Sequence, residues 1–416
     1  MAKILITSIG TGDIVKDSDS DYRETVYEID GSEYRNTLTS QPIIEHFGIQ
    51  KVIMIGTAGS MWDNIYFKYG GEDGEYMDTL THKKGDRNIS EQDLRQLERT
   101  LDSYLNTSGS KCLLLAYDAN DNDEIWSNFK TILTIRDFLD EEDEIYLDIT
   151  HGFRYMPILN IFAIEFLTQL NEKMQPKAIL YGMYSNERSQ ILDFRIFVEL
   201  LAWSRAIGNL RHYGNGFDLL RLIRESTEAK EIENAFADFT YALSLSSMAA
   251  LQRGIKTIKG KIKRFEQSDH KIVPVIADEL REFVERLAIE DTARFQFELA
   301  RWYGENKNYA MAYITLVEAA VTAECHNLHL DPNDETDRNE AKQSLYARGD
   351  WHSNSKQDQK IADTFRKVNN IRKNIAHKLS STASKTNMSP RQSVENFDGY
   401  LTQLSRLIDR GEGHSG

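Results

Sequence analysis

Short runs of apolar, β-branched residues recur through the first half of the chain, and stretches with helical spacing lie between them. Residues 3–9 (KILITSI), 51–55 (KVIMI), 111–117 (KCLLLAY), 144–149 (EIYLDI) and 177–183 (KAILYGM) are apolar almost throughout. Runs this short and this uniformly apolar predict strands buried on both faces. Residues 42–47, 90–104, 125–138 and 156–170 predict helices. Ser90 stands as the N-cap of the second, with Leu94, Leu97, Leu101 and Leu105 along one stripe. Residues 22–35 alternate about Asp30-Gly31, which predicts a hairpin. After about residue 193 the strand pattern stops. Helical spacing then covers 194–208, 234–251, 255–265, 273–287, 291–303, 309–327, 358–379 and 391–408. Residues 331–340 read as a polar loop and 380–390 as a flexible linker.

Strands alternating with helices predict a Rossmann-like α/β fold: a parallel sheet with helices on both faces, followed here by an all-α half. A chain of 416 residues exceeds one ordinary core, and the expected division is 1–195, 196–300 and 301–416. With 40% apolar and 28% charged residues, the composition is that of a folded rather than a disordered chain. The net charge of -15 argues against nonspecific coating of nucleic acid, while leaving room for a local basic site. Cys112 and Cys325 are the only cysteines and lie far apart, which argues against a disulfide framework and for a reducing cytoplasm. Neither a leader nor an apolar run of about 18 residues is read, so no membrane association is expected.

In sheets of this kind ligands bind beyond the carboxyl ends of the strands. Three predicted strands end in loops rich in glycine and hydroxyl groups. The candidate binding residues are Ser8, Gly10, Thr11 and Gly12; Gly56, Thr57, Ala58, Gly59 and Ser60; and Thr150, His151, Gly152 and Arg154. Glycines let backbone amides approach a phosphate, and the hydroxyls donate to it. Trp62 has two readings, stacking on a base or filling the core, and Asp148 is expected to cap its loop. A dinucleotide fingerprint fails because Val15 stands where the third glycine belongs. No metal is expected: Asp148-x-Thr150-His151 has no second histidine nearby, and Cys325-His326-x-x-His329-x-Asp331 has no second ligand cluster.

The other chemistry lies in Arg372-Lys373-Asn374-Ile375-Ala376-His377. A histidine moves protons near neutral pH, and an arginine fork matches phosphate oxygens. Together they suit cleavage of RNA by its own 2′-hydroxyl, without a metal, and would spare DNA. His377 is the candidate acid or base, Arg372 the transition-state stabiliser, and Asn374 an orienting group. Five residues on an ideal helix set two side chains about 140° apart. Either the helix end is distorted, or two copies meet across a dimer axis; the small Ala376 favours the second.

The hexapeptide from Arg372 to His377 resembles the Arg-x4-His motif of HEPN ribonucleases, and residues 309–327, with Glu318-Ala319-Ala320, resemble the helix that precedes it. Asp148-Ile149-Thr150-His151-Gly152-Phe153-Arg154 resembles the signature of the CRISPR-associated DxTHG-motif proteins, as do the loops at 4–12 and 56–62. The resemblance implies a CARF domain that senses cyclic oligoadenylates, with tetra-adenylate favoured and the ring size open, coupled to a HEPN ribonuclease at 301–416. It implies an allosteric activator but no required cofactor, a single-stranded RNA substrate, and a homodimer or higher homo-oligomer. His151 and Arg154 would contact phosphate or adenine. Two alternatives stand beside it: a non-catalytic sensor whose helical half binds a partner, and an effector that also cleaves its activator. Residues 256–264 (KTIKGKIKR) read either as a solvated basic face or as a strip facing RNA or another domain. Arg366, Lys367, Lys373 and Lys378 surround the motif and suit steering of RNA. Phe236, Phe239 and Tyr241 have core spacing.

Overall fold

Successive side chains of a strand point to opposite faces, so a strand that is apolar throughout needs a core on each side. The computed structural model bears this out. It describes residues 2–11, 24–117, 121–140, 142–152, 155–171, 174–185, 188–226, 230–245, 247–348, 355–377 and 389–409. The chain divides into two compact units, Met1–Leu200 and Leu201–Gly416.

In the first unit β1 (Lys3–Ser8), β4 (Lys51–Thr57), β5 (Lys111–Leu115), β6 (Glu144–Asp148) and β7 (Ala178–Ser185) are the strands expected from the apolar runs. Two hairpin strands, β2 (Thr25–Ile29) and β3 (Ser32–Asn36), and β8 (Arg188–Asp193) complete an eight-stranded sheet of order β3-β2-β8-β7-β6-β1-β4-β5. The five core strands run parallel, but β7–β8 and β2–β3 pair antiparallel. The sheet is therefore mixed, not purely parallel. The strand β8 escaped notice because its sequence, RSQILD, is half polar, as suits its alternating burial. The hairpin turns at Asp30 and Gly31, both with positive φ (48° and 80°), the conformation of a tight two-residue hairpin.

Leu5, Val52, Met54, Tyr146 and Leu180 face one core with α1 (Ser40–Phe47), α2 (Trp62–Lys68), α3 (Gly74–Gly85) and α4 (Glu91–Leu105). Ile4, Ile6, Ile53, Ile55, Leu147 and Ile179 face the other, with α5 (Asn122–Leu133), the 3-10 turn Thr134–Phe138 and α6 (Met156–Leu170). Ser90 heads α4 in a capping box with Asp93, as its position suggested. The short α2 and α3, unforeseen in the sequence, fill the interval between β4 and α4; the hydrophobic periodicity of α3 is weak because it buries only Leu80.

Helix α7 (Arg195–Tyr213) carries the chain into the second unit. There α8 (Phe217–Ser226), α9 (Lys230–Ser244), α10 (Met248–Glu266), α11 (Val273–Leu287), α12 (Thr292–Glu305), α13 (Tyr309–Leu328), α14 (Glu335–Ala347), α15 (Lys356–His377) and α16 (Pro390–Asp409) follow. One buried cluster runs through this unit from Trp203 to Leu407, and Phe236 and Phe239 belong to it. Tyr241 is exposed, contrary to its core spacing. The single helix expected over 234–251 is two, broken between Ser244 and Met248. The polar stretch 331–340 is a loop only at its start. Asp334 accepts from the backbone N–H groups of Thr336 and Asp337 and opens α14, whose polar surface hid it. The linker expected at 380–390 falls, up to residue 388, outside the described residues. No helix among the described residues is long and apolar enough to cross a membrane.

Candidate functional site

After the β2–β3 hairpin, which lies at the far edge of the sheet, the chain places β4 and β5 on one side of β1 and then β6 on the other. This reversal leaves a crevice at the carboxyl ends of β1 and β6, where open α/β sheets bind ligands. The loops flagged in the sequence converge on that rim. Asp148, fully buried at the end of β6, accepts from the Thr7 hydroxyl of β1 (2.7 Å) and from the Thr150 backbone N–H (2.9 Å). It is the loop-capping residue it was expected to be. Thr150 Oγ1 accepts from the Gly182 N–H of β7 (2.8 Å), which fixes the next residues over the sheet edge. His151 Nε2 lies 2.7 Å from Thr39 Oγ1, the residue that heads α1. Thr39 also donates to Tyr27, whose hydroxyl is pushed up by burial. Gly152 adopts φ 115°, which a side chain would resist, and a Cβ there would lie 3.3 Å from that of Ser8.

Several predicted ligand hydroxyls are committed to the fold instead. Ser8 is buried and accepts from Asn160 Nδ2 (2.8 Å). Ser60 is buried, accepts from the Thr57 N–H (2.9 Å) and donates to the Ile9 carbonyl (3.3 Å). Gly56 serves packing: a Cβ would sit 2.6 Å from Trp62 Cζ2 and 2.8 Å from Ile9 Cγ1. Trp62 is fully buried and donates to the Thr57 carbonyl (2.8 Å), so of its two readings the core one holds. What remains accessible is Gly10, Thr11, Ala58, Gly59, Thr150, His151 and Gly152. Gly12 and Arg154 lie outside the described residues.

Two further polar groups border this rim. Exposed Arg87 lies over Gly59, its Cγ 3.7 Å and its Nε 3.9 Å from where a Cβ would be. It follows the unforeseen α3 in a left-handed conformation (φ 51°), and nothing in the local sequence marks it. Buried Asn160 on α6 has an Oδ1 without a hydrogen-bond partner among the described residues. Its place inside a strongly apolar helix was the available signal.

In the second unit α15 presents Ile361, Phe365, Val368 and Ile371 to the core and ends at His377. Arg372 Nη2 donates to Asn369 Oδ1 (2.9 Å), and buried Asn369 in turn donates to the Tyr346 hydroxyl. Asn369 stands one turn before Arg372, a spacing that predicts contact on any helix, yet it went unread. Arg372 Nε is buried and has no hydrogen-bond partner among the described residues. Asn374 is half-buried on the same helix. The side chains of Ala376 and His377 lie outside the described residues, so the structure places the backbone of His377 but does not join its ring to Arg372.

Helix α13 packs against α14 and α15. Its fully buried Glu324 accepts from Arg348 Nε (2.9 Å) and Nη2 (2.6 Å), and from Ser344 (2.6 Å). Arg348 also reaches Asp358 on α15 (3.0 Å), so one buried carboxylate ties three helices. Glu318 pairs with Arg338 of α14. Cys112 and Cys325 are free and buried, and burial pushes both thiols up. Among the described residues no group of three His, Cys, Asp or Glu side chains is arranged to hold a metal ion.

Comparison with known proteins bears on both units. Residues 4–184 match the family model described as "CRISPR system endoribonuclease Csx1, CARF domain", and residues 199–291 match "CRISPR-associated protein MJ1674, second domain". CRISPR-associated protein MJ1674 of Methanocaldococcus jannaschii is 29% identical over 403 residues, covering 91% of this chain and 62% of its own length. The chain thus spans less than two thirds of that relative. Enterococcus italicus Csm6 bound to cyclic hexa-2′-fluoro-hexa-dAMP aligns with 100% of this chain and 95% of its own, at 12% identity and a TM-score of 0.41. By sequence, the chain is similar to CRISPR-associated CARF-domain proteins of the Csx1 and MJ1674 kind over its α/β unit and the first helices that follow.

Proposed function

We propose that this protein is a metal-independent endoribonuclease of type III CRISPR antiviral defence, acting in the cytoplasm on single-stranded RNA and switched on by a cyclic oligoadenylate. The observation that carries the reading is the match of residues 4–184 to the Csx1 CARF model, in a chain whose α15 closes on Arg372-x4-His377. In this reading residues 1–195 sense the activator, 196–300 transmit, and 301–416 form a HEPN-type nuclease.

The accessible backbone at Gly10, Gly59 and Gly152, with Thr11, Thr150, His151 and the added cation Arg87, faces the activator's phosphates and bases, and Arg154 is a further contact expected from the sequence. Ser8, Thr57, Ser60 and Gly56 hold the loops that present them. At the other site Arg372, whose Nε has no hydrogen-bond partner among the described residues, binds the phosphate that the 2′-hydroxyl attacks. His377 carries the proton to or from the ribose oxygen. Asn374 orients it.

An ideal helix would separate Arg372 and His377 by about 140°, and in this reading the competent site is a composite in which the two Arg372/His377 pairs of a dimer are aligned. An exposed apolar stripe on α6 (Ile158, Phe162, Phe166 and Leu170, four residues apart) supports a homodimer. The activator shifts the dimer only as far as it binds the competent arrangement more tightly. The test uses the purified protein, a fluorescent RNA and EDTA. Wild type should cleave on addition of activator. His377→Ala should lose about 10²–10⁴-fold of that rate and keep its affinity for the activator. Full stimulated activity in His377→Ala would refute the assignment.

A further inference from the structure

The net charge of -15 hides an asymmetry. Residues 1–200 hold 35 of the 65 acidic and 19 of the 50 basic side chains; residues 201–416 hold the other 30 and 31. The helical unit is therefore close to neutral, and its charge does not oppose a polyanion. Within this unit many arginines are paired with carboxylates: Arg211, Arg224, Arg281, Arg286, Arg338 and Arg348 among them. Helix α10 differs. Its Leu251, Ile255, Ile258 and Phe265 are buried, while Arg253, Lys256, Lys259 and Lys263 are exposed. At 100° per residue these four cations fall within an arc of about 120°, over about 15 Å of helix. None of the four enters an ion pair among the described residues, although Lys261 and Arg264 on the flank both pair with Glu231.

Gly260 sits inside that same arc. A glycine in a helix interior weakens the helix relative to alanine. The other glycine of α10 has a packing reason, since a Cβ on Gly254 would lie 3.2 Å from Phe239 Cα. Gly260 has none: a Cβ there would meet nothing within 4 Å. A bare helix surface between cations lets an extended polyanion lie close to the backbone. We infer that the exposed face of α10 is a docking surface for the phosphate backbone of single-stranded RNA. That the polyanion is RNA rests on the nuclease reading; that it is a polyphosphate rests on the charge and the bare surface.

The test measures binding rather than cleavage. The purified protein is titrated into a fluorescent 2′-O-methylated oligonucleotide of about 20 nucleotides, which has no free 2′-hydroxyl, and anisotropy is followed across a salt series. For single strands the slope of log affinity against log salt is about -0.7 for each phosphate neutralised. Lys256→Gln/Lys259→Gln/Lys263→Gln should bind at least tenfold more weakly at low salt, with the slope flattened by about 2. Gly260→Leu, which should not impair folding at an open site, should weaken binding several-fold with the slope unchanged. Unaltered affinity and slope in the folded triple variant would overturn the inference, as would equal competition by polyglutamate, which would make the partner an acidic protein. Failure of the nuclease reading shows separately: a protein that never cleaves RNA but binds it through α10 loses the first proposal and keeps the second.

Discussion

The two candidate sites are built in opposite ways. The rim of the α/β unit is assembled across the chain: Thr7 meets Asp148 and Ser8 meets Asn160, pairs 141 and 152 residues apart. The first link joins two strands, β1 and β6, and the second joins β1 to α6, so folding the unit forms the rim. The carboxy-terminal motif lies within one helix, and five residues on an ideal helix separate two side chains by about 140°. The first site is organised by its fold. The second is local in sequence. On the function proposed above, a rim formed by folding and a motif completed only in a dimer would together suit a ligand-dependent switch.

Substitutions inside each unit sharpen this contrast. The largest effect on stability is expected in the helical unit. Glu324→Ala leaves Arg348 without its bidentate carboxylate in a buried site, and should cost about 3–5 kcal/mol in urea unfolding. A loss below about 1 kcal/mol would mean that Glu324 does not tie α13, α14 and α15. Asp148→Ala should cost about 3 kcal/mol, since a buried carboxylate loses two hydrogen bonds. Because it also frees the loop carrying Thr150 and His151, activator binding measured by calorimetry should weaken in parallel. Unchanged affinity in a destabilised Asp148→Ala would separate the rim from the fold and break the contrast. Gly56→Ala should cost about 1–3 kcal/mol, because the added methyl enters the space of Trp62 and Ile9. If it lowers activator affinity with no change in the melting temperature, Gly56 touches the ligand and not the core. Smallest of all, neither thiol should react with a disulfide reagent at pH 8 until the protein unfolds, because burial raises both Cys112 and Cys325.

Much of the α/β unit was legible because its five core strands are apolar on both faces and its loops carry unusual glycines. The sequence does not show which hydroxyls point inward. Ser8 and Ser60 have the composition of ligand donors, and only the neighbouring Asn160 and Ile9 reveal that they are loop-builders. Arg87 was invisible because its place at the rim comes from the turn after α3, not from any motif. Helices with one strong apolar stripe were read to within a residue or two, as at α11. Those with polar surfaces and short loops were missed or merged, as with α14 and the break between α9 and α10. The positions of Arg372 and His377 were plain from the sequence, whereas the Asn369–Tyr346 support of Arg372 needed the packing of α14 against α15.

The most direct test of the account is RNA cleavage by the purified protein in EDTA, measured without activator and with cyclic tri-, tetra- and hexa-adenylate in turn. The account predicts negligible cleavage without activator and strong cleavage with one ring size, tetra-adenylate being favoured. Cleavage that is equally fast without activator, or absent with every ring, would contradict it.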